Sequence, residues 1–131
     1  MDLNSTILAV SSPPGHSTRG IVRCSGPCSF DLLRSRLVDG LASIERGIYP
    51  VRLRMKDVSI PSLLSLTPGP RSYTGEDSFE LQLPGHPSLL NRVINDLLED
   101  AFMAGLNVRP AGPGEFTARA FLSGRIGLAE A

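Results

Sequence analysis

The sequence predicts an α+β fold of two layers, in which a mixed β-sheet carries helices packed on one face. Three observations lead to this prediction. Strand-like and helix-like runs are interleaved along the chain instead of being segregated. Several strand-like runs alternate between apolar and polar residues, which indicates a sheet with one buried face and one polar face. The length of 131 residues suits a single domain with its own core.

Five runs have the character of strands, and they cover residues 6–10, 20–26, 48–56, 58–66 and 78–83. In the third run Val51, Leu53 and Met55 alternate with basic residues, so the basic side chains are expected on the solvated face. Pro61 in the fourth run suits an edge or a bulge, because proline cannot donate to a ladder. Arg23 interrupts the apolar second run and therefore needs an anionic partner or an exit to solvent.

Three segments have the spacing of amphipathic helices. The first is predicted over residues 29–39, with Ser29 as N-cap, and its buried stripe comprises Phe30, Leu33, Leu37 and Val38. The second begins near Pro87 and ends before Gly105, and its apolar stripe comprises Leu89, Leu90, Val93, Ile94, Leu97, Leu98, Ala101 and Phe102. The third is predicted over residues 115–122, with Gly124 behind it.

Composition narrows the classes of function. Thirteen basic and thirteen acidic residues cancel, which argues against a free-standing nucleic-acid binder. No apolar run is long enough to span a membrane, and the first residues lack the pattern of a signal peptide, so we expect a cytoplasmic protein. Cys24 and Cys28 are expected to be reduced structural thiols rather than a disulfide or part of a zinc site.

Several catalytic and nucleotide-binding motifs are absent from the sequence. It contains no G-x-x-x-x-G-K-[ST], no G-x-G-x-x-G after a strand and no G-x-S-x-G. Nothing in the chain argues for covalent catalysis.

The most suggestive feature is a carboxylate on a half-buried strand. Residues 70–77 are rich in turn formers, and the strand that follows places Glu80 on its polar face. A carboxylate in this position can accept two parallel N–H bonds from a planar heterocycle with an amino group beside a ring N–H. Arg23 and Arg125 are the cations that could accompany it. The alternative is an internal ion pair that holds the sheet to the C-terminal helix, and spacing alone favours that alternative.

Four blocks carry a resemblance to a known family. They are Ser-Pro-Pro-Gly at 12–15, Gly-Ile-Val-Arg-Cys-Ser-Gly-Pro at 20–27, Pro-Arg-Ser-Tyr-Thr-Gly-Glu-Asp at 70–77 with Glu80, and Pro-Gly-Glu-Phe-Thr-Ala-Arg-Ala-Phe-Leu at 113–122. Together they resemble the N-terminal domain of the MnmE/TrmE family of tRNA-modification GTPases, over essentially the whole chain. The third and fourth blocks in this order are highly specific.

The resemblance implies a fold and a set of ligands. The family's domain resembles the folate-binding part of glycine-cleavage aminomethyltransferases, forms a homodimer and holds 5-formyl- or 5,10-methylene-tetrahydrofolate, the one-carbon donor for the wobble uridine of tRNA. It implies a domain over residues 1–124, the start of a helical domain at 125–131, and folate ligands at Arg23, Glu80 and Arg125. GTP, potassium and magnesium belong to a GTPase domain that this chain lacks, and the family's other partners are tRNA and an FAD-dependent protein. The chain alone is not expected to be catalytic.

The sequence departs from the family pattern near the implied ligand. Ser17-Thr18 replaces a glycine pair of the family, and Leu83-Pro84-Gly85-His86-Pro87 replaces a His-Gly-Gly run. Gly127 and Arg125 occupy positions where the family commonly has aspartate and lysine, respectively. Lost glycines narrow the allowed backbone, so these changes affect folate affinity more than the fold. One alternative is therefore a structural dimerisation module that has lost folate. Another is direct tRNA binding through Arg52, Arg54 and Lys56.

Overall fold

The computed structural model of the chain describes residues 2–11 and 17–124. Within these ranges six strands form one sheet: β1 (Thr6–Val10), β2 (Ser17–Ser25), β3 (Gly47–Met55), β4 (Val58–Thr67), β5 (Ser78–Gly85) and β6 (Val108–Pro110). Their order is β3-β4-β5-β2-β1-β6. Neighbours are antiparallel except β1 and β6, which are parallel. The described helices are α1 (Ser29–Arg34), α2 (Pro87–Ala104) and α3 (Glu115–Leu122). The predicted α+β fold with a mixed sheet is thereby confirmed.

The five predicted strands are all present, and their faces are as expected. Leu53 and Met55 are buried, whereas Arg52 and Arg54 between them are exposed. The β4–β5 ladder begins at Leu63, so β5 does not pair with β4 at Pro61. The missing N–H of Pro61 therefore removes no hydrogen bond to β5. β6 was not predicted, because three residues are too few for an alternating pattern to show.

The core lies between one face of the sheet and the helices α1 and α2. The buried strand residues include Val22, Cys24, Leu64, Leu66, Phe79, Leu81 and Leu83, and the buried helix residues include Phe30, Leu32, Leu33, Leu90, Val93, Leu97 and Ala101. We call the face of the sheet that carries these buried strand residues the inner face. The outer face carries the alternate side chains, among them those of Arg23 and Glu80.

The first predicted helix is wrong in length and in its cap. α1 ends at Arg34 instead of residue 39, and Ser29 is its first helical residue, whose hydroxyl donates to the carbonyls of Gly26 and Asp77 at 2.9 and 3.0 Å. Residues 36–38 instead pair with β3, where the N–H of Arg54 donates to the carbonyl of Arg36 at 2.6 Å. These bonds satisfy backbone groups of an edge strand while Leu37 still reaches the core.

α2 matches its prediction closely at both ends. Pro87 is the first helical residue, and Gly105 ends the helix with φ +72°, a conformation that favours glycine. Phe102 was wrongly assigned to the buried stripe, since it is 83% exposed. It follows buried Ala101 by one position, which turns it about 100° away from the core. None of the described helices has the length and apolar character needed to cross a membrane.

Candidate functional site

Glu80 and Arg23 lie directly opposite each other on β5 and β2. The Nε–H of Arg23 donates to Oε2 of Glu80 at 2.6 Å, and each side chain is 36% exposed. The Arg23 guanidinium also lies 5.6 Å from the centroid of the Phe116 ring on α3, within the range of a cation–π contact. The ion pair considered from the sequence is therefore present, but it joins two strands, and it reaches the C-terminal helix through Phe116.

The third sequence-predicted cation cannot be placed beside this pair. Arg125 lies outside the described residues, as do Gly127 and residues 12–16. The structure therefore brings together two of the three expected site residues.

A cavity of about 180 Å³ opens at the ion pair. Its lining combines one carboxylate and one guanidinium with hydroxyl groups and aromatic rings, and the residues are Arg23, Ser25, Ser65, Thr67, Tyr73, Thr74, Ser78, Phe79, Glu80 and Phe116. Drug-sized ligands usually occupy larger pockets, so the volume suits one flat ring system with the rest of a longer ligand outside. Within the described residues Oε1 of Glu80 receives no hydrogen bond, which leaves an acceptor at the cavity.

The turn-rich loop before β5 forms one wall of the cavity, and β2 fixes its position. The hydroxyl of Ser25 donates to Oε1 of Glu76 at 2.7 Å, and it lies 2.6 Å from the hydroxyl oxygen of Thr74. The N–H of Gly26 donates to the carbonyl of Asp77 at 2.9 Å. Gly75 has φ +80°, so the loop requires glycine there. These contacts hold the loop close to the strand that carries Arg23.

Arg119 is a buried residue of the site that the sequence did not predict. It is 2% exposed, and it donates to both carboxylate oxygens of Glu76 at 3.1 Å. It also donates to the carbonyls of Ser5 and Asp2, each at 2.9 Å. One side chain thus joins α3, the loop before β5 and the N-terminal segment. Its position four residues after Glu115 was a signal of an i, i+4 pair, but not of burial.

Glu115 completes this buried charge cluster. Its carboxylate accepts two bonds from the Arg109 guanidinium, at 2.7 and 2.5 Å, and one from the N–H of Gly112 at 2.9 Å. A further bond comes from Arg119 at 3.1 Å. The Arg109 hydrogen bonds are the main reason that the pKa of Glu115 falls to about 2. Glu115 is therefore ionised at neutral pH and serves to fix the start of α3, the helix that carries Phe116.

Cys24 and Cys28 are free thiols, of which Cys24 is buried. Burial raises the pKa of the Cys24 thiol to about 12, so it is a poor nucleophile. Neither cysteine is in a disulfide. In the described part of the chain no cluster of three or more His, Cys, Asp or Glu side chains could hold a metal ion.

Comparison with known proteins identifies the family. The model of the family described as "GTP-binding protein TrmE N-terminus" matches residues 6–125. Proteins named tRNA modification GTPase MnmE are similar to the chain: that of Opitutus terrae is 42% identical, covering 98% of the chain, and that of Bordetella parapertussis is 39% identical, covering all of it. The protein of the same name from Thermus thermophilus is 36% identical, again over the whole chain. The chain spans 27%, 29% and 30% of these relatives' lengths, respectively. It therefore belongs to the TrmE N-terminal family, and it corresponds to the N-terminal domain of MnmE/TrmE proteins.

Proposed function

We propose that residues 1–124 form a domain that binds a reduced folate, 5-formyl- or 5,10-methylene-tetrahydrofolate, and makes a homodimer, with a helical domain beginning at residue 125. The observation that carries this proposal is the cavity at Glu80, where a carboxylate oxygen without a described partner meets aromatic rings and hydroxyl groups. Its chemistry is that of a site for a flat, polar ring.

A reduced pterin ring complements the cavity in two ways. Its amino group and the neighbouring ring N–H are parallel donors, and the Glu80 carboxylate is an acceptor of matching geometry. Its faces need apolar contacts, which the rings of Tyr73 and Phe116 supply in the lining. Arg23 donates to Oε2 of Glu80 and lies over the Phe116 ring. A bound pterin would take Oε1 and share both partners with Arg23.

The outer face of the sheet supports the proposal of a homodimer. Ile48 is 70% exposed and Leu63 is 37% exposed. They lie on adjacent strands and on the same face, because Ile48 is opposite Ser65 and Leu63 is two residues from Ser65 along β4. Apolar side chains left uncovered together are typical of an interaction surface. Light scattering should therefore return about twice the chain mass of 14.0 kDa, and Ile48→Glu should return the monomer mass.

The activity of the whole protein is an extension of this proposal. The relatives are named tRNA modification GTPases, so we propose that the domain supplies the one-carbon donor site for modification of the tRNA wobble uridine in the cytoplasm. In such a protein GTP, potassium and magnesium would be bound by a GTPase domain, and an FAD-dependent protein would be the partner. Direct tRNA binding through the exposed side chains of Arg52, Arg54 and Lys56 is the second candidate, and salt-sensitive tRNA binding by this chain alone would favour it.

A calorimetric titration with 5-formyltetrahydrofolate tests folate binding. Glu80→Gln removes the charge and one of two acceptor oxygens, so it should weaken binding by about tenfold to a hundredfold. Glu99→Gln makes the same chemical change at an exposed site on α2 and should have no effect. If the domain were a dimerisation module that has lost folate, neither the wild type nor the variants would bind 5-formyltetrahydrofolate. Glu80→Gln would then alter stability alone, by about 0–1 kcal/mol for so exposed a pair.

A further inference from the structure

A second, shallower basin adjoins the cavity on the outer face of the sheet. It has a volume of about 400 Å³ and is lined by Arg46, Thr67, Arg71, Ser72 and Tyr73. Thr67 and Tyr73 also line the cavity at Glu80. A ligand that leaves the cavity between these two residues therefore enters a basin with two arginines.

The register of the sheet places Arg46 on the same face as Glu80. Gly47, the first residue of β3, is opposite Leu66; Arg46 directly precedes β3, so continuing this register by one residue would bring it opposite Thr67, which lines the same basin. Thr67 is opposite Ser78, which precedes Glu80 by two positions on β5. Side chains two residues apart share a face, and strand spacings then put the Cα atoms of Arg46 and Glu80 roughly 12 Å apart. Arg71 reaches the same basin from the loop that also carries Tyr73.

The basin has the electrostatic character of an anion site. Arg46 and Arg71 are both exposed, and neither forms an ion pair with any acidic residue in the described ranges. By contrast, Arg23, Arg36, Arg109 and Arg119 are each paired with a carboxylate. The basin lining contains no acidic side chain. Two unneutralised guanidinium groups are suited to bind carboxylates.

We propose that this basin binds the acidic tail of the ligand whose ring occupies the cavity. The inference rests on the proposed folate function, and it names the ligand class as a polyglutamylated reduced folate. The ring enters at Glu80, the chain leaves past Thr67 and Tyr73, and the successive glutamate carboxylates meet Arg46 and Arg71. The domain then distinguishes long-tailed from short-tailed folates by charge.

A titration series in glutamate number tests the inference. 5-Formyltetrahydrofolate with one, three and five glutamates should be compared by calorimetry at 50 and 300 mM salt. Two exposed ion pairs predict that triglutamate binds roughly threefold to thirtyfold more tightly than monoglutamate at low salt. Most of this gain should disappear at high salt, because the pairs are screened.

Arginine variants show where the tail binds. Arg46→Gln and Arg71→Gln should each remove much of the gain from added glutamates. Arg54→Gln is the matched control: it lies on the same face of β3, about 26 Å further along the strand, and should keep the gain.

Three results would overturn the inference, each in a different way. Equal affinity for all tail lengths overturns it and leaves the folate proposal standing. Equal losses in Arg54→Gln and Arg46→Gln show a general charge effect instead of a site. No binding of any folate overturns the inference and the proposed function together, and tRNA binding that depends on Arg46 and Arg71 would then assign the basin to RNA.

Discussion

Neutralising Glu115 is a direct test of how the helix that carries Phe116 is fixed. Glu115→Gln keeps the shape of the side chain but removes the charge that faces Arg109 and Arg119. A pKa lowered from 4.5 to about 2 corresponds to about 3 kcal/mol of stability at neutral pH. The 7% exposure of the side chain means that water screens this interaction weakly. Loss of one partner in a buried ion pair has a cost of similar size.

The stability lost in Glu115→Gln should depend on pH. Because the pKa of Glu115 is lower in the folded state than in the unfolded chain, its stabilisation is complete above about pH 4.5 and is lost as the pH falls toward 2. Urea unfolding followed by circular dichroism should therefore show a difference between wild type and variant of about 3 kcal/mol at pH 7. The same difference should be roughly half as large at pH 3. Glu45→Gln, at an exposed position, should stay within about 0.5 kcal/mol. Equal differences at the two pH values, or less than about 1 kcal/mol at pH 7, would show that the charge cluster does not hold α3.

Three further predictions concern the core, a tight turn and the thiols. Leu97→Ala should lower the free energy of unfolding by about 2–5 kcal/mol, whereas Asn95→Ala on the exposed face should be nearly neutral; equal shifts in melting temperature would refute the phase of α2. Gly26→Ala should cost at least about 1–3 kcal/mol in a thermal melt, because φ is +138° and the new Cβ would lie 2.6 Å from a backbone Cα of β1; an unchanged melting temperature would contradict this. A thiol reagent at pH 8 should label the half-buried Cys28 and leave Cys24 unmodified in the folded protein. Mass spectrometry of the peptides measures this, and labelling of Cys24 in the folded protein would contradict the prediction.

The parts of the fold that the sequence predicted are those set by local pattern. β5 alternates strictly because only one of its faces is buried, and Phe79 and Leu81 are indeed fully enclosed. α2 carries its own start and stop signals at Pro87 and Gly105. The predicted extension of α1 was wrong because residues 36–38 gain hydrogen bonds to an edge strand, a tertiary interaction that overrides helix propensity.

The candidate site was predictable only in part. Arg23 and Glu80 could each be assigned to the polar face of a strand, but their meeting depends on the register of β2 and β5. No local signal fixes that register across 57 positions of sequence. The burial of Arg119 was unpredictable for a related reason. A buried arginine is rare unless it is paired, and its partner Glu76 comes from a distant loop.

The most direct test of folate binding at Glu80 is an NMR titration of the chain with 5-formyltetrahydrofolate. Folate binding at Glu80 should give saturable shifts that concentrate on residues 23–25, 73–74 and 78–80 and on the Phe116 ring, the residues around the cavity. The side-chain Nε–H of Arg23 should also move, because the ligand shares both of its partners. A spectrum unchanged at millimolar ligand, or shifts that cluster away from these residues, would show that Glu80 does not bind folate.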